Sequence, residues 1–131
     1  MRHLLRQEKV ENLSLDSAGT AGYHIGKGPD PRMTATLEAR GIQVSGQARQ
    51  FAKKDFQDFD LIIPMDEDNR RDILRLATND QQRAKVKPFM SFCENYSNPE
   101  VPDPYYGGQE GFDLVADIMA DGCLGILESL K

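Results

Sequence analysis

A chain of 131 residues fits one domain and can bury about two thirds of the surface its unfolded form exposes. Its 39% hydrophobic and 28% charged residues exclude a disordered polypeptide, and its net charge of −5 opposes a nucleic-acid backbone, which demands clustered Lys and Arg. No run approaches the ~20 apolar residues that cross a bilayer, and no succession of basic, apolar and small residues opens the chain as a secretion signal would, so the reading is a cytoplasmic single-domain protein, residues 1–131, that binds neither nucleic acid nor membrane.

Residues Met1 to Lys9 include His3-Leu4-Leu5-Arg6-Gln7-Glu8, which has helical composition, but no Ser, Thr, Asp or Asn precedes it as a cap. Leu13 to Ser17 alternates apolar and polar residues, which predicts a short half-buried strand; Gly19 to Gly28, with four glycines and His24, predicts a loop. Asp30-Pro31 predicts a helix start, because the carboxylate can accept an orphan amide and proline fits the first turn. Gly41 ends that helix, Met33 and Leu37 mark its buried side, and Ile42-Gln43-Val44 alternates again.

Phe56 and Phe59 mark a short amphipathic turn. Asp60-Leu61-Ile62-Ile63-Pro64-Met65 is apolar without alternation, as a strand buried on both faces would be. Asp66 then opens an acidic-fronted helix running to about Ala77, with Ile73, Leu74 and Leu76 inward. Val86 to Met90 is a second strand candidate, weakened by Pro88. Glu94 to Gly108, with three prolines and three tyrosines, is a loop. From Gln109 the stripe Phe112, Val115, Met119, Cys123, Ile126 and Leu130 predicts a long helix despite Gly122 and Gly125. Strands alternating with helices make an α/β domain on a parallel sheet.

The segment with most chemical content is Val101-Pro102-Asp103-Pro104-Tyr105-Tyr106-Gly107-Gly108. Prolines on both sides hold Asp103 still, and a carboxyl deprived of water by neighbouring rings can stay protonated long enough to serve as a general acid. The same residues also fit a rigid turn with a solvated Asp. Asp66-Glu67-Asp68 is not a calcium loop, because Arg70 and Arg71 stand where oxygen ligands and the glycine turn belong. Gly26-Lys27-Gly28 is a turn, not a phosphate loop, since no strand precedes it. Two histidines and the two separated cysteines, Cys93 and Cys123, imply no metal, no cofactor and no disulfide framework.

Three ordered segments, Asp16-Ser17-Ala18-Gly19-Thr20, Pro29-Asp30-Pro31-Arg32 and Pro102-Asp103-Pro104-Tyr105-Tyr106-Gly107-Gly108, together resemble the low-molecular-weight protein tyrosine phosphatases. Ala48-Arg49-Gln50, Asp55-Phe56, Phe59-Asp60 and Met65-Asp66 with Asn69 extend the resemblance over the whole chain. It implies a three-layer fold with a small four-stranded parallel sheet, phosphate bound at the carboxyl ends of the strands, and hydrolysis of phosphomonoesters through a phosphocysteine. By the same resemblance Asp103 is the general acid and later base, Tyr105 and Tyr106 pack on a phosphotyrosine ring, and Ser17 supports the phosphate loop. The substrate it implies is a phosphotyrosine protein or a small aryl phosphate.

The departure from that family lies at the front. The family's opening strand and Cys-x5-Arg loop would precede the helix that begins at Met1, and neither cysteine replaces them, because six residues after Cys93 stands Pro99 and six after Cys123 stands Ser129. The expectation is therefore a domain incomplete at its N-terminus, through a start codon assigned too late, and inactive alone. Ser45-Gly46-Gln47 departs again where many relatives carry a histidine. Two other functions compete: a non-catalytic pseudophosphatase that binds a partner, and an arsenate reductase, for which no cysteine relay is recognisable.

Overall fold

A computed structural model describes residues 1–20, 30–43, 49–103 and 108–130. Within them run α1 (Arg2–Gln7), α2 (Pro31–Ala39), α3 (Asp55–Asp58), α4 (Glu67–Leu76), α5 (Asp80–Ala84), a 3-10 turn (Phe89–Phe92) and α6 (Gly108–Ser129). Cap chemistry sets several boundaries. The Asp30 carboxylate accepts from the amides of Arg32 and Met33 at 2.9 and 3.1 Å, with Pro31 as the first helical residue. Gly41, at φ +78°, ends the α2 region in a left-handed conformation that suits glycine. Asp66 accepts from the Asn69 amide at 2.7 Å and opens α4 as expected. Helix α5 was not anticipated; its Asn79 cap accepts from the Gln82 amide at 2.8 Å. Helix α1 has no side-chain cap, as the sequence reading held.

The segment around Ile62 organises the interior. Ile62 packs with Phe56 and Ile73 in one core cluster, whereas Leu61 and Ile63 pack against a second one built from Phe89, Met90, Ile118, Cys123 and Ile126. Opposite neighbours for successive residues are the period-two signature of an extended chain. The segment thus lies between a layer containing α3 and α4 and a layer containing α6.

The expected strands are shorter than read. Parallel pairing among the described residues is reduced to two single bridges, Gly19 with Gln50 and Ile62 with Val86. The second bridge has a plain limit. Ile62 donates to the Lys85 carbonyl and accepts from the Lys87 amide, and the Phe89 amide reaches the Pro64 carbonyl at 2.9 Å. Pro64, however, has no amide to return, so the ladder stops. Val86 to Met90 is consequently not a strand: after Val86 the chain enters the 3-10 turn, and Phe89 and Met90 are core residues there. Leu13 to Ser17 also forms no strand, and the bridge on that segment falls later, at Gly19. Ile42 and Gln43 form none, and Val44 lies outside the described residues.

Helix α6 follows its predicted stripe except at Leu130, which is exposed. Its two glycines are contact points rather than tolerated flaws. A methyl group on Gly122 would run into the Phe89 ring, and one on Gly125 into the Phe92 carbonyl, so both let the 3-10 turn approach the helix. Helix α2 docks on α6 through Arg40, which reaches Asp117 at 2.8 Å, and through Thr36, a buried hydroxyl that accepts from Gln109 at 3.0 Å.

Candidate active site

The loop Asp16–Thr20 is fixed from three sides. The Gly19 amide donates to the Arg49 carbonyl at 2.8 Å, and the Gly19 carbonyl accepts from the Phe51 amide at 2.7 Å. Arg49 then uses its whole guanidinium: Nε donates to Asp16 at 2.9 Å, while the two terminal nitrogens meet both Asp55 oxygens at 3.0 and 3.1 Å. From the third side, the side-chain Nδ2 of Asn69 donates to the Thr20 hydroxyl at 3.2 Å. Ser17, the expected supporting residue, sits in this pinned loop, exposed, on the wall of a cavity.

Asp55 is a buried carboxylate. Burial alone would push its carboxyl up, but the paired bonds from Arg49, the Ala52 amide at 2.9 Å and the nearby positive charges bring it below the ordinary range. The arginine moves the other way, held up by the Asp55 and Asp16 bonds against the effect of its own burial.

The segment leading to Asp103 is tied to the same region. The Val101 amide donates to the Met65 carbonyl at 2.9 Å, at the carboxyl end of the central segment, and the Glu67 amide donates to Glu100 at 2.8 Å. The N-terminus of α4 therefore holds the Ser17 loop through Asn69 and the acid segment through Glu67. It is ringed by Asp66, Glu67, Asp68 and Glu100, which complement the helix dipole. Asp103 itself is exposed. Pro104, Tyr105 and Tyr106 lie outside the described residues, as do His24, the turn Gly26-Lys27-Gly28, Ser45-Gly46-Gln47 and Ala48.

Neither cysteine offers a replacement nucleophile. Cys93 is half-buried, its thiol faces the Ile118 carbonyl at 3.7 Å, and burial with the Asp121 carboxylate beside it pushes the thiol up to about 11. A thiol held there carries almost no thiolate at neutral pH. Cys123 is buried in the core beneath α6. Among the described residues no group of His, Cys, Asp and Glu is arranged to hold a metal ion, and no helix is long and apolar enough to cross a membrane.

Sequence reasoning matched Arg49, Asp55 and Asn69 to the family but gave them no task. The structure assigns one: they clamp the Ser17 loop to α3 and α4. A pairing over 33 residues, such as Arg49 with Asp16, leaves no local signal.

An α/β frame with a polar loop cluster at the carboxyl end of its central extended segment defines a class of ligand-binding enzyme folds. The comparisons make it specific. The family model for low molecular weight phosphotyrosine protein phosphatase matches residues 1–131, and the chain belongs to that family of phosphatases. It is 51% identical over 115 residues to a family member from Synechocystis sp., covering 88% of this chain and 73% of that relative. With the human low molecular weight phosphotyrosine protein phosphatase the identity is 36% over 129 residues, 97% of this chain and 81% of the relative. A crystal structure of protein tyrosine phosphatase from Entamoeba histolytica superposes with a TM-score of 0.92 at 37% identity, over 98% of this chain and 83% of that one.

Proposed function

We propose that this single-domain cytoplasmic chain carries the acid, aromatic and supporting parts of a protein tyrosine phosphatase site that hydrolyses phosphotyrosine or a related aryl phosphate through a phosphocysteine. Asp103 protonates the departing tyrosyl oxygen and then, as carboxylate, activates the water that hydrolyses the phosphocysteine. Tyr105 and Tyr106 flank the substrate ring, and Ser17 supports the phosphate-binding loop. The observation that carries this reading is the meeting of two sequence-distant motifs at the N-terminus of α4, one through Asn69 to Thr20 and the other through Met65 to Val101.

Within residues 1–131 no cysteine is followed six residues later by arginine, so the attacking thiolate and the phosphate-binding arginine are not supplied by these residues. The 131-residue chain is accordingly expected not to hydrolyse aryl phosphates. A version carrying the family's opening strand and Cys-x5-Arg loop ahead of Met1 is expected to do so, and to lose roughly 10²–10⁴-fold on Asp103→Asn. Turnover by the 131-residue chain itself, or an extended protein indifferent to that substitution, contradicts the reading. A second reading, binding without turnover, fits the lack of a Cys-x5-Arg pattern within residues 1–131. Its mark is saturable phosphotyrosine-peptide binding by the 131-residue chain that is lost when the phosphate is removed.

A further inference from the structure

The first turn of α4 leaves amides without a partner inside the helix. Asp66 takes that of Asn69 at 2.7 Å. The amide of Glu67, the first helical residue, goes outside the helix to the Glu100 carboxylate at 2.8 Å, 33 residues along the chain. Other acidic side chains already stand there, but Glu67 and Asp68 are each paired one turn on, with Arg70 at 3.5 Å and Arg71 at 2.8 Å. The positive end of the helix dipole therefore still favours a further carboxylate.

What Glu100 holds is the run that ends in the acid. The next amide, that of Val101, donates to the Met65 carbonyl at 2.9 Å, so two consecutive residues grip the start of α4 and the end of the central segment together. Upstream of this grip the loop is held at Asn95, whose amide and side chain both donate to Asp121, at 3.0 and 3.1 Å. Ser97, Asn98 and Pro99, in between, are exposed and form no hydrogen bond among the described residues. Downstream the chain is stiff. Val101 and Asp103 each precede a proline, which confines both to extended conformations, and Pro102 between them has a fixed φ. A displacement at Glu100 thus passes to Asp103 with little to absorb it.

Resting on the role proposed above for Asp103, we infer that Glu100 is its positioning residue: by accepting from the Glu67 amide it fixes where the acid carboxyl stands. Proton donation requires the acid within hydrogen-bond reach of the leaving oxygen, and a misplacement of about 1 Å can cost on the order of 10²-fold. Glu100 touches neither the substrate nor the reacting atoms. Its carboxylate serves as an acceptor, so a side-chain amide of the same length can replace it and a methyl group cannot.

The test compares Glu100→Ala with Glu100→Gln; the residue is exposed, so neither change disturbs the core. In the 131-residue chain, amide hydrogen exchange reads the anchor. Glu100→Ala is expected to speed the Glu67 and Val101 amides by about fivefold or more and Glu100→Gln by less than about twofold, with the Asn69 amide unmoved in both. In the protein carrying the family's opening strand and Cys-x5-Arg loop, Glu100→Ala is expected to lower kcat on phosphotyrosine about tenfold, with KM within about twofold. On an aryl phosphate with a much more acidic phenol its loss should be smaller by about threefold or more, because a general acid matters most when the leaving oxygen is basic. Glu100→Gln should restore most of the loss. Asp103→Asn, made alongside, is the control. If it shows the leaving-group dependence and Glu100→Ala does not, the inference alone falls; if neither shows it, the role of Asp103 falls as well. Unchanged exchange in Glu100→Ala, or a Glu100→Gln protein as impaired as Glu100→Ala, also overturns the inference.

Discussion

Truncating Arg49 to alanine removes the clamp on the Ser17 loop, and the structure sets the scale of the loss. The side chain of Asp55 is 9% exposed, that of Arg49 36% and that of Asp16 44%. Breaking a fully buried pair by removing one partner costs about 3–5 kcal/mol, and an exposed pair is worth about 0.2–1 kcal/mol. Here one partner is buried and the other solvent-screened, and the Ala52 amide keeps one Asp55 oxygen bonded. Arg49→Ala is therefore expected to cost roughly 1.5–3 kcal/mol. For a domain of this size that lowers Tm by on the order of 5–12 °C. The pH dependence is a second readout. The Asp55 carboxyl is held below its ordinary 3.8 in the folded protein, so its contribution is fully present above that value and is lost as pH falls through the lower folded one. Urea unfolding of both proteins at several pH values is the assay. The gap between them should be constant from about pH 5 to 8 and shrink below about pH 4. A gap under about 0.5 kcal/mol at neutral pH, the size of an ordinary surface substitution, would refute the clamp, as would a gap of undiminished size at low pH.

Gly125→Ala sets a helix-propensity gain of up to ~1 kcal/mol against a collision with the Phe92 carbonyl. Overpacking of ~1–3 kcal/mol is expected to prevail, so calorimetry should show a lowered Tm, and a raised one would mean that the 3-10 turn yields freely. Asp66→Ala removes the side-chain bond to the Asn69 amide and should cost about 1 kcal/mol in urea unfolding; a change within error would show the cap to be redundant. Cys93, with its thiol near 11, should react with iodoacetamide far more slowly than a free thiol at neutral pH, its rate climbing towards that value in the native protein. Rapid labelling under native conditions would show the thiol to be neither desolvated nor paired.

What could be read from the sequence was what the chain decides locally. Asp30 and Asp66 were legible as caps because a cap needs only a side chain and the amides two or three residues on. Asn79 obeys the same rule and was passed over. The unbroken apolar run at Leu61 to Ile63 correctly indicated burial on both faces. Its length as a strand was not legible, because pairing depends on neighbours, and Pro64 ends the exchange of bonds with the Val86 segment. Leu13 to Ser17 had the right alternation but nothing beside it among the described residues to pair with. The glycines of α6 looked like weak points until the 3-10 turn was seen lying against them. At the site, Ser17 and Asp103 were named through family resemblance, whereas the Arg49 clamp joins residues distant in sequence and appears only in the fold.

The claim on which the functional account depends is that Asp103 gives a proton to the leaving oxygen. Its most direct measurement compares kcat/KM losses on Asp103→Asn, in the protein extended by a Cys-x5-Arg loop, for two substrates: phosphotyrosine, whose leaving phenol has a pKa of about 10, and an aryl phosphate with a much more acidic phenol. A general acid matters most when the departing oxygen is basic, so the account predicts a loss at least tenfold larger for phosphotyrosine. Equal losses on both substrates would contradict it.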